Sequence, residues 1–559
     1  MKKGNIYQGE VVKVLFPGKG IVKVEDEDNP VCVKDVIPGQ KVSFRLTKRK
    51  NDKYEGTLIS VDEKALNEIE SSCIHFEKCG GCSYRNLRYE DQLALKEQQI
   101  REIFAPVIDN FEDIFEGIKG SPVENEYRNK MEFSFGDACK GGSLELGLHK
   151  KGSFYDILSV KQCQIVDADY RAILNETLAY FRGLECSYFH KITHEGFLRH
   201  LLVRKAARTG EIMICLVTSS SIPMDTPCCE KGIVEDWLER IMSIKYVGKL
   251  AGVLHIINDS EADMVKSDET KVIFGRDYIN EEVLGLKFKI SPFSFFQTNT
   301  LSAEVIYSVA RDYVKNAGGA KPNGILFDLY SGTGTIAQLM APVVSKVIGV
   351  EIVEEAVIAA RENAQLNGLA NCEFIADDVL KALDNISEKP DCIILDPPRD
   401  GVNPKALRKI IDYGVDNILY ISCKPTSLAR DLEIFKFHGY YPTRMCAVDQ
   451  FPGTVHVETV CLLSKLHEAK HHINVKVDMD ELDLTSAEAK ATYKEIEEWV
   501  QEHYGFHVTN LNIAQVKQKH GIIERENYNK PKSENSRQPG CPEEKVKAIE
   551  EALKFFQMI

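Results

Sequence analysis

Side chains able to do chemistry crowd the second half of this 559-residue sequence. Cys423 stands in NILYISCKPTSLARDL, directly after an apolar run that reads as a strand. Lys424 follows it, and a helix is expected to begin at Thr426 or Ser427. A neighbouring cation and a helix N-terminus both favour thiolate, and thiolate is the nucleophilic form. Asp396 stands in CIILDPPRDG, where two prolines pin the turn and hold the carboxylate at the end of another apolar strand. DQFPGTVHVETVCLL adds Glu458 as a proton acceptor, with His456 as the alternative. A cysteine with a base nearby is equipped for covalent addition followed by proton removal.

A nucleotide-type turn accompanies this set. FDLYSGTGTIA, residues 327–337, runs from an apolar strand through Gly332 and Gly334 towards a helix. Asp328 ends that strand, Glu351 ends the next, and Asp377 and Asp378 follow the third. An acid at the end of the second strand is set to accept hydrogen bonds from ribose hydroxyls. The turn lacks the full GxGxxG pyrophosphate fingerprint, which favours a nucleoside ligand such as S-adenosylmethionine (SAM) over NAD. A thiolate beside a methyl donor suits pyrimidine C5 methylation. Addition to C6 makes C5 enolate-like, C5 takes the methyl, and a base removes the C5 proton so that the thiolate can leave. Similar D/N-P-P turns occur in amino-group methyltransferases, so that motif alone does not choose the chemistry.

Four other cysteines form a second constellation. Five residues separate Cys73 from Cys79 and two separate Cys79 from Cys82, while Cys163 lies eighty residues further on. The spacing fits a structural zinc site or an iron–sulphur cluster.

The elements that must position these residues fall into four segments. Residues 1–60 alternate in short runs broken by Gly, Pro and Asp, as in a small OB-like β-barrel. They carry 12 Lys and Arg against 8 Asp and Glu, although the whole chain has a net charge of −14. A local nucleic-acid-binding surface is therefore expected, and a uniformly basic binder is excluded. Residues 61–290 hold the cysteine loop, the polar helix YEDQLALKEQQIREIF and an α+β domain with an antiparallel sheet. Residues 291–466 alternate near-continuous apolar strands with helices, the pattern of a parallel, doubly wound, Rossmann-like sheet. Residues 467–559 read as a helical appendage: a capped helix ended by Gly505, a second short helix, a polar connector and a last helix opened by Pro542. From residue 471 onward there are 12 basic and 16 acidic residues, which argues against a DNA-binding helix-turn-helix. The composition, 43% hydrophobic and 28% charged, is that of a globular α/β chain and excludes a largely disordered one. No secretory signal or membrane span is expected, and the sixteen cysteines are expected as thiols, ligands or nucleophiles in a reducing cytoplasm.

SPFSFFQTNT, FDLYSGTGTIA, GVE, LDPPRDG, ISCKP and FPGTVHVETV occur in that order. With them the chain resembles the SAM-dependent RNA (uracil-5-)-methyltransferases, in particular the branch acting on 23S ribosomal RNA, over about residues 5–466. The resemblance implies SAM contacts from Gln297, Tyr330, Glu351 and Asp396, Cys423 as nucleophile and Glu458 as acceptor of the C5 proton. It implies that residues 1–60 are a TRAM module, an RNA-binding domain, and that Cys73, Cys79, Cys82 and Cys163 hold a [4Fe–4S] cluster. It favours 23S rRNA over the tRNA T-loop as substrate, and a monomer is expected. Residues 467–559 have no counterpart in it. A non-catalytic RNA-binding or assembly factor that kept the fold is the alternative from another class.

Overall fold

A computed structural model describes residues 1–50, 53–220, 232–262, 265, 267–316, 324–466, 493–504, 506–520 and 542–555. The chain divides into two compact units, Met1–His467 and Glu468–Ile559.

In the first unit, strands Ile6–Leu15, Lys19–Lys23, Val31–Lys34, Lys41–Lys50 and Lys53–Glu63 form a closed barrel, with the fifth strand between the third and the fourth. Val11, Val22, Val33, Val42 and Phe44 point inward and fill it. The barrel runs to Glu63, three residues past the expected boundary at 60, because the last two strands stay paired out to Lys41 opposite Glu63. Part of the basic hairpin is already partnered. Lys48 lies 2.9 Å from Glu55, and the Arg49 guanidinium lies 5.6 Å over the Tyr54 ring.

The central region builds a seven-stranded sheet. It is not purely antiparallel as expected: Glu211–Thr218 and Lys249–Ile257 pair in parallel. The helix Ile233–Ser243 lies between them in sequence, and a helical crossover is the connection that parallel neighbours require. The expected boundary of the central domain at 61–290 also needs correction. Strand Phe115–Lys119 lies in that stretch, yet it pairs with Tyr440–Val448 at the edge of the sheet built by the following segment. Its Phe115 and Ile118 pack against that sheet's core.

The sheet that Phe115–Lys119 joins has eight strands. Their order is Cys372–Ala376, Lys346–Glu351, Ile325–Leu329, Cys392–Leu395, Asn417–Ser422, Glu458–Lys465, Tyr440–Val448 and Phe115–Lys119. The five strands from Cys372–Ala376 to Asn417–Ser422 are parallel. Leu326, Val347, Ile394 and Leu419 pack on one face, while Phe327, Ile348, Ile393 and Ile418 pack on the other. Burial of both faces is why these strands are apolar without alternation.

The polar helix expected from YEDQLALKEQQIREIF is Tyr89–Phe104. Its buried face carries Gln92, Lys96 and Gln99, a spacing that aligns them along one side. Gln99 donates to the barrel at Val14 O (2.8 Å), and Gln92 accepts from Gly453 N (2.8 Å). Lys96 Nζ donates to Asp449 (2.7 Å) and to Phe451 O (3.3 Å), and the Lys96 and Asp449 side chains are both fully buried. The three residues thus tie the barrel to the loop 449–457, which leads into Glu458. Lys96→Met is expected to cost about 3–5 kcal/mol, because it strands a buried carboxylate. Adding Asp449→Leu should recover much of that loss. Urea unfolding checks both, and a Lys96→Met protein as stable as the wild type would refute the anchoring role.

In the second unit, helices Tyr493–Tyr504, Asn510–Lys519 and Glu543–Phe555 share a small core of Ile496, Val500, Val508, Ile513, Val516, Ile549 and Leu553. The cap expected before the first helix, its end at Gly505 and the polar connector lie outside the described residues. Cys186 is disulfide-bonded, a correction to the expectation of thiols or ligands throughout. Among the described residues no helix is long and apolar enough to cross a membrane.

Candidate active site

Strand register assembles the site. Leu329 pairs with Val350 on one side and with Leu395 on the other, so the next residues, Tyr330, Glu351 and Asp396, emerge together at the carboxyl edge. Ser422 pairs with Thr459 in antiparallel sense, which sets Cys423 beside Glu458. Lys424 caps the helix Pro425–Phe437, so Cys423 lies in the turn between strand and helix. One cleft of about 1250 Å³ is lined by Gln297, Tyr330, Glu351, Asp396, Cys423, His456 and Glu458, with Gly332 and Asp378; of the other residues singled out from these motifs, Asp328, Gly334, Asp377 and Lys424 do not line it. The Gln297 carbonyl accepts from Asn129 (2.8 Å), and its side chain accepts from Gln450 (3.3 Å).

The glycine turn is shaped for close approach by a ligand. Gly332 has φ +52°, and a Cβ there would meet nothing within 4 Å. Gly334 has φ +71°, and a Cβ there would lie 2.5 Å from the Phe374 ring. Glu351 accepts from Gly332 N (3.0 Å) and Val353 N (3.0 Å), and Asp328 accepts from Ala337 N (2.9 Å), which fixes the turn from both sides. Ser331 Oγ and the second Asp328 carboxylate oxygen are buried and have no partner among the described residues. Ser331 lines the cleft, so this cradle fits a polar nucleoside such as that of SAM.

Electrostatically the cleft gathers acids away from water. Burial pushes Asp396 up to about 7. Burial, aided by the Asp396 charge, pushes Glu458 up to about 8, and Arg399 opposes the shift. Cys423 is pushed up to about 11 by burial and by Glu458 and Asp396, again against Arg399. Burial and the two carboxyls thus work against the thiolate bias expected from Lys424 and the helix N-terminus. Successive residues leaving a strand diverge, and the Lys424 ammonium lies 3.9 Å from Asp400. His456 is driven down to about 4, first by burial and then by Arg399, Lys96 and Arg128. A histidine held neutral at that level is a weaker base than Glu458.

Two residues at this site escaped the motif reading. Arg399 ends the D-P-P-R turn, and the motif assigns it no role, yet its charge acts on Cys423, Glu458 and His456. Tyr307, on the helix Thr300–Asn316, is buried in the cleft wall, where Asp396, Glu458 and Asp328 raise its hydroxyl pKa further beyond the effect of burial. No motif contains it; only the helical spacing of Ala303, Tyr307 and Ala310 marks its buried face.

The second constellation also converges. Cys73, Cys79, Cys82 and Cys163 line one cavity together with His75, Phe76 and Arg85. Burial raises Cys79, Cys82 and Cys163, the last to about 11. Among the described residues no group of three or more His, Cys, Asp or Glu side chains is arranged to hold a metal ion.

Parallel strands with an acidic carboxyl edge and a cradle for a nucleoside define the class, an α/β methyltransferase fold. Pyrococcus abyssi tRNA (uracil-54, C5)-methyltransferase, solved with S-adenosyl-L-homocysteine, is similar with a TM-score of 0.63 at 22% identity, over 81% of this chain and 100% of that one. A family described as tRNA (Uracil-5-)-methyltransferase matches residues 230–466. An uncharacterized RNA methyltransferase of Clostridium tetani is 47% identical over 461 residues, 82% of this chain and 98% of its own. Another, from Caldanaerobacter subterraneus, is 46% identical over 466 residues, 83% of this chain and 100% of its own. The chain belongs to the family of these RNA methyltransferases, and within it residues 230–466 carry the match to the uracil-5 methyltransferase description.

Proposed function

We propose that the protein transfers a methyl group from SAM to C5 of a uridine in 23S ribosomal RNA. The observation that carries this reading is the antiparallel pairing that brings Cys423 beside Glu458 in the cleft that also holds Asp396 and the glycine turn. SAM supplies an electrophilic methyl on a cationic sulfur, and a cation lowers the cost of ionising Asp396, Glu458 and Cys423. Cys423 gives its proton to solvent and the thiolate adds to C6, which makes C5 nucleophilic; C5 takes the methyl and the donor leaves as the neutral thioether S-adenosylhomocysteine. After methylation Glu458 accepts the C5 proton, the C6–sulfur bond breaks and the thiolate leaves. A base buried in a duplex cannot reach this cleft, so the uridine enters flipped out or from a single strand.

The barrel is read as a TRAM-type RNA-binding module. The donor set of Cys73, Cys79, Cys82 and Cys163 fits a [4Fe–4S] cluster, whose four irons are each held by one thiolate. When bound, the cluster would cross-link the 73–82 loop to the chain at 163. Barrel and cluster cysteines together support rRNA, while the family description keeps tRNA as the second substrate.

The test is methyl transfer from labelled SAM to unmodified 23S rRNA and, separately, to tRNA, using anaerobically purified protein. 5-Methyluridine in 23S rRNA is the expected product. 5-Methyluridine in tRNA alone would keep the chemistry and replace the substrate. A chain ending at residue 468 is expected to retain methylation of isolated RNA to within a few-fold, since every residue assigned to the cleft lies before it; loss of methylation would bring the helical extension into the active enzyme.

A further inference from the structure

Three surface turns meet beside the cysteine cavity: residues 74–78, the connection 149–156 between strands Leu144–His149 and Ile157–Ser159, and residues 190–195. Phe154 is 69% exposed and Tyr155 54%, unusual for two adjacent aromatic side chains with no partner in the core. Their geometry is nonetheless fixed. The Phe154 ring lies nearly parallel to His149 (10°, centroids 6.2 Å apart) and meets Tyr155 edge-on (87°, 5.4 Å). Lys191 Nζ lies 4.5 Å over the Phe154 ring and donates to the Phe154 carbonyl (3.1 Å). Next to them Lys151 Nζ lies 4.4 Å over the Phe76 ring, and its backbone N–H donates to Lys78 O (2.8 Å).

The charge of this face runs against that of the chain. Lys78, Lys150, Lys151 and Lys191 stand on it with Glu77, Asp156 and Glu195, in a protein whose net charge is −14. Lys150 lies within salt-bridge reach of Asp156, at 4.0 Å. The face also adjoins the catalytic cleft. Gly80, Gly81 and Leu148 line the cleft, and Gly80 N donates to His149 O (3.0 Å), one residue from the start of the aromatic turn.

We propose that Phe154 and Tyr155, flanked by Lys151 and Lys191, form a stacking platform for the single-stranded RNA next to the target nucleotide. The inference rests on the RNA-methylating reading of the cleft. Exposed rings interleaved with cations suit a single strand, since each base offers a face to stack on and each phosphate a charge to meet. A protein partner would need acidic residues to match the lysines and an apolar contact for the two rings, and nothing on this face demands that combination.

The test uses the full chain and a labelled single-stranded 20-nucleotide RNA of mixed sequence, with the same RNA annealed into a duplex and SAM as separate ligands. For Phe154→Ala with Tyr155→Ala the Kd for the single strand is expected to rise on the order of 5- to 100-fold, the size of lost base–aromatic stacking. Duplex and SAM affinities should stay within a factor of about two. Phe154→Trp keeps a ring, so it should bind the single strand as the wild type does, with its fluorescence quenched by RNA. Lys151→Gln with Lys191→Gln should flatten the dependence of log Kd on log salt by about one to two units. Unchanged single-strand affinity in the double alanine variant, or no quenching in Phe154→Trp, overturns the platform. Wild-type protein that binds neither SAM nor RNA would instead overturn the functional reading.

Discussion

Cys423→Ala is expected to abolish 5-methyluridine formation, a fall of roughly 10⁴-fold or more in kcat, while SAM still binds. Truncating a side chain at the cleft wall leaves the glycine turn and the Glu351 contacts untouched, so the loss should appear in the chemical step alone. Two experiments separate the covalent route from its rivals. RNA carrying 5-fluorouridine should remain attached to wild-type protein through denaturing electrophoresis, because fluorine at C5 cannot be removed as a proton is, and the thiolate cannot then be expelled. Cys423→Ala should show no such complex. A methyltransferase for an exocyclic amine needs no thiol, so a Cys423→Ala protein active to within a few-fold would move the chemistry to the Asp396 turn. If the wild type fails to bind SAM, the non-catalytic alternative stands.

Much of this site was legible because its residues stand at the ends of apolar strands. In a doubly wound sheet, strand ends sharing a carboxyl edge are neighbours in space however far apart they are in sequence, and so Tyr330, Glu351, Asp396 and Cys423 meet. What adjacency in sequence could not give was direction. Lys424, next to Cys423, turns towards Asp400, and the cation that acts on the thiol is Arg399 from the neighbouring strand's exit. Tyr307 and Lys96 were illegible for a related reason. Each belongs to a helix whose pattern reports only which face is covered, not what covers it. The partner of Lys96, Asp449, is 353 residues away. Strand Phe115–Lys119 falls inside the expected 61–290 segment yet extends the other sheet, because five residues carry no record of which sheet they extend.

The protonation of the cleft yields the second large effect. With Glu458 near 8 and Asp396 near 7, both carboxyls are largely protonated at pH 6. Catalysis needs Glu458 ionised to accept the C5 proton and Cys423 ionised to add to C6. The kcat/KM for RNA, which reports the free enzyme, should therefore climb as pH rises from about 6 to 9. Saturating SAM should move the profile to lower pH, since its positive sulfur favours the ionised acids. Stability runs the other way. The folded carboxyls hold protons that the unfolded chain gives up near pH 4, so their contribution is full below that range and is lost as pH rises through about 7 to 8. Melting temperature without SAM should decline across the interval in which activity grows. Glu458→Gln removes the base but spares the nucleophile, so kcat should drop about 10²–10⁴-fold. The covalent RNA complex should then accumulate with ordinary uridine, since addition and methyl transfer proceed while elimination stalls. The rising limb near pH 8 should vanish with it. A Glu458→Gln enzyme that keeps the wild-type rate and pH profile would require another acceptor. Asp396 is then the next carboxyl in the cleft, because His456, held near 4, is the weaker base.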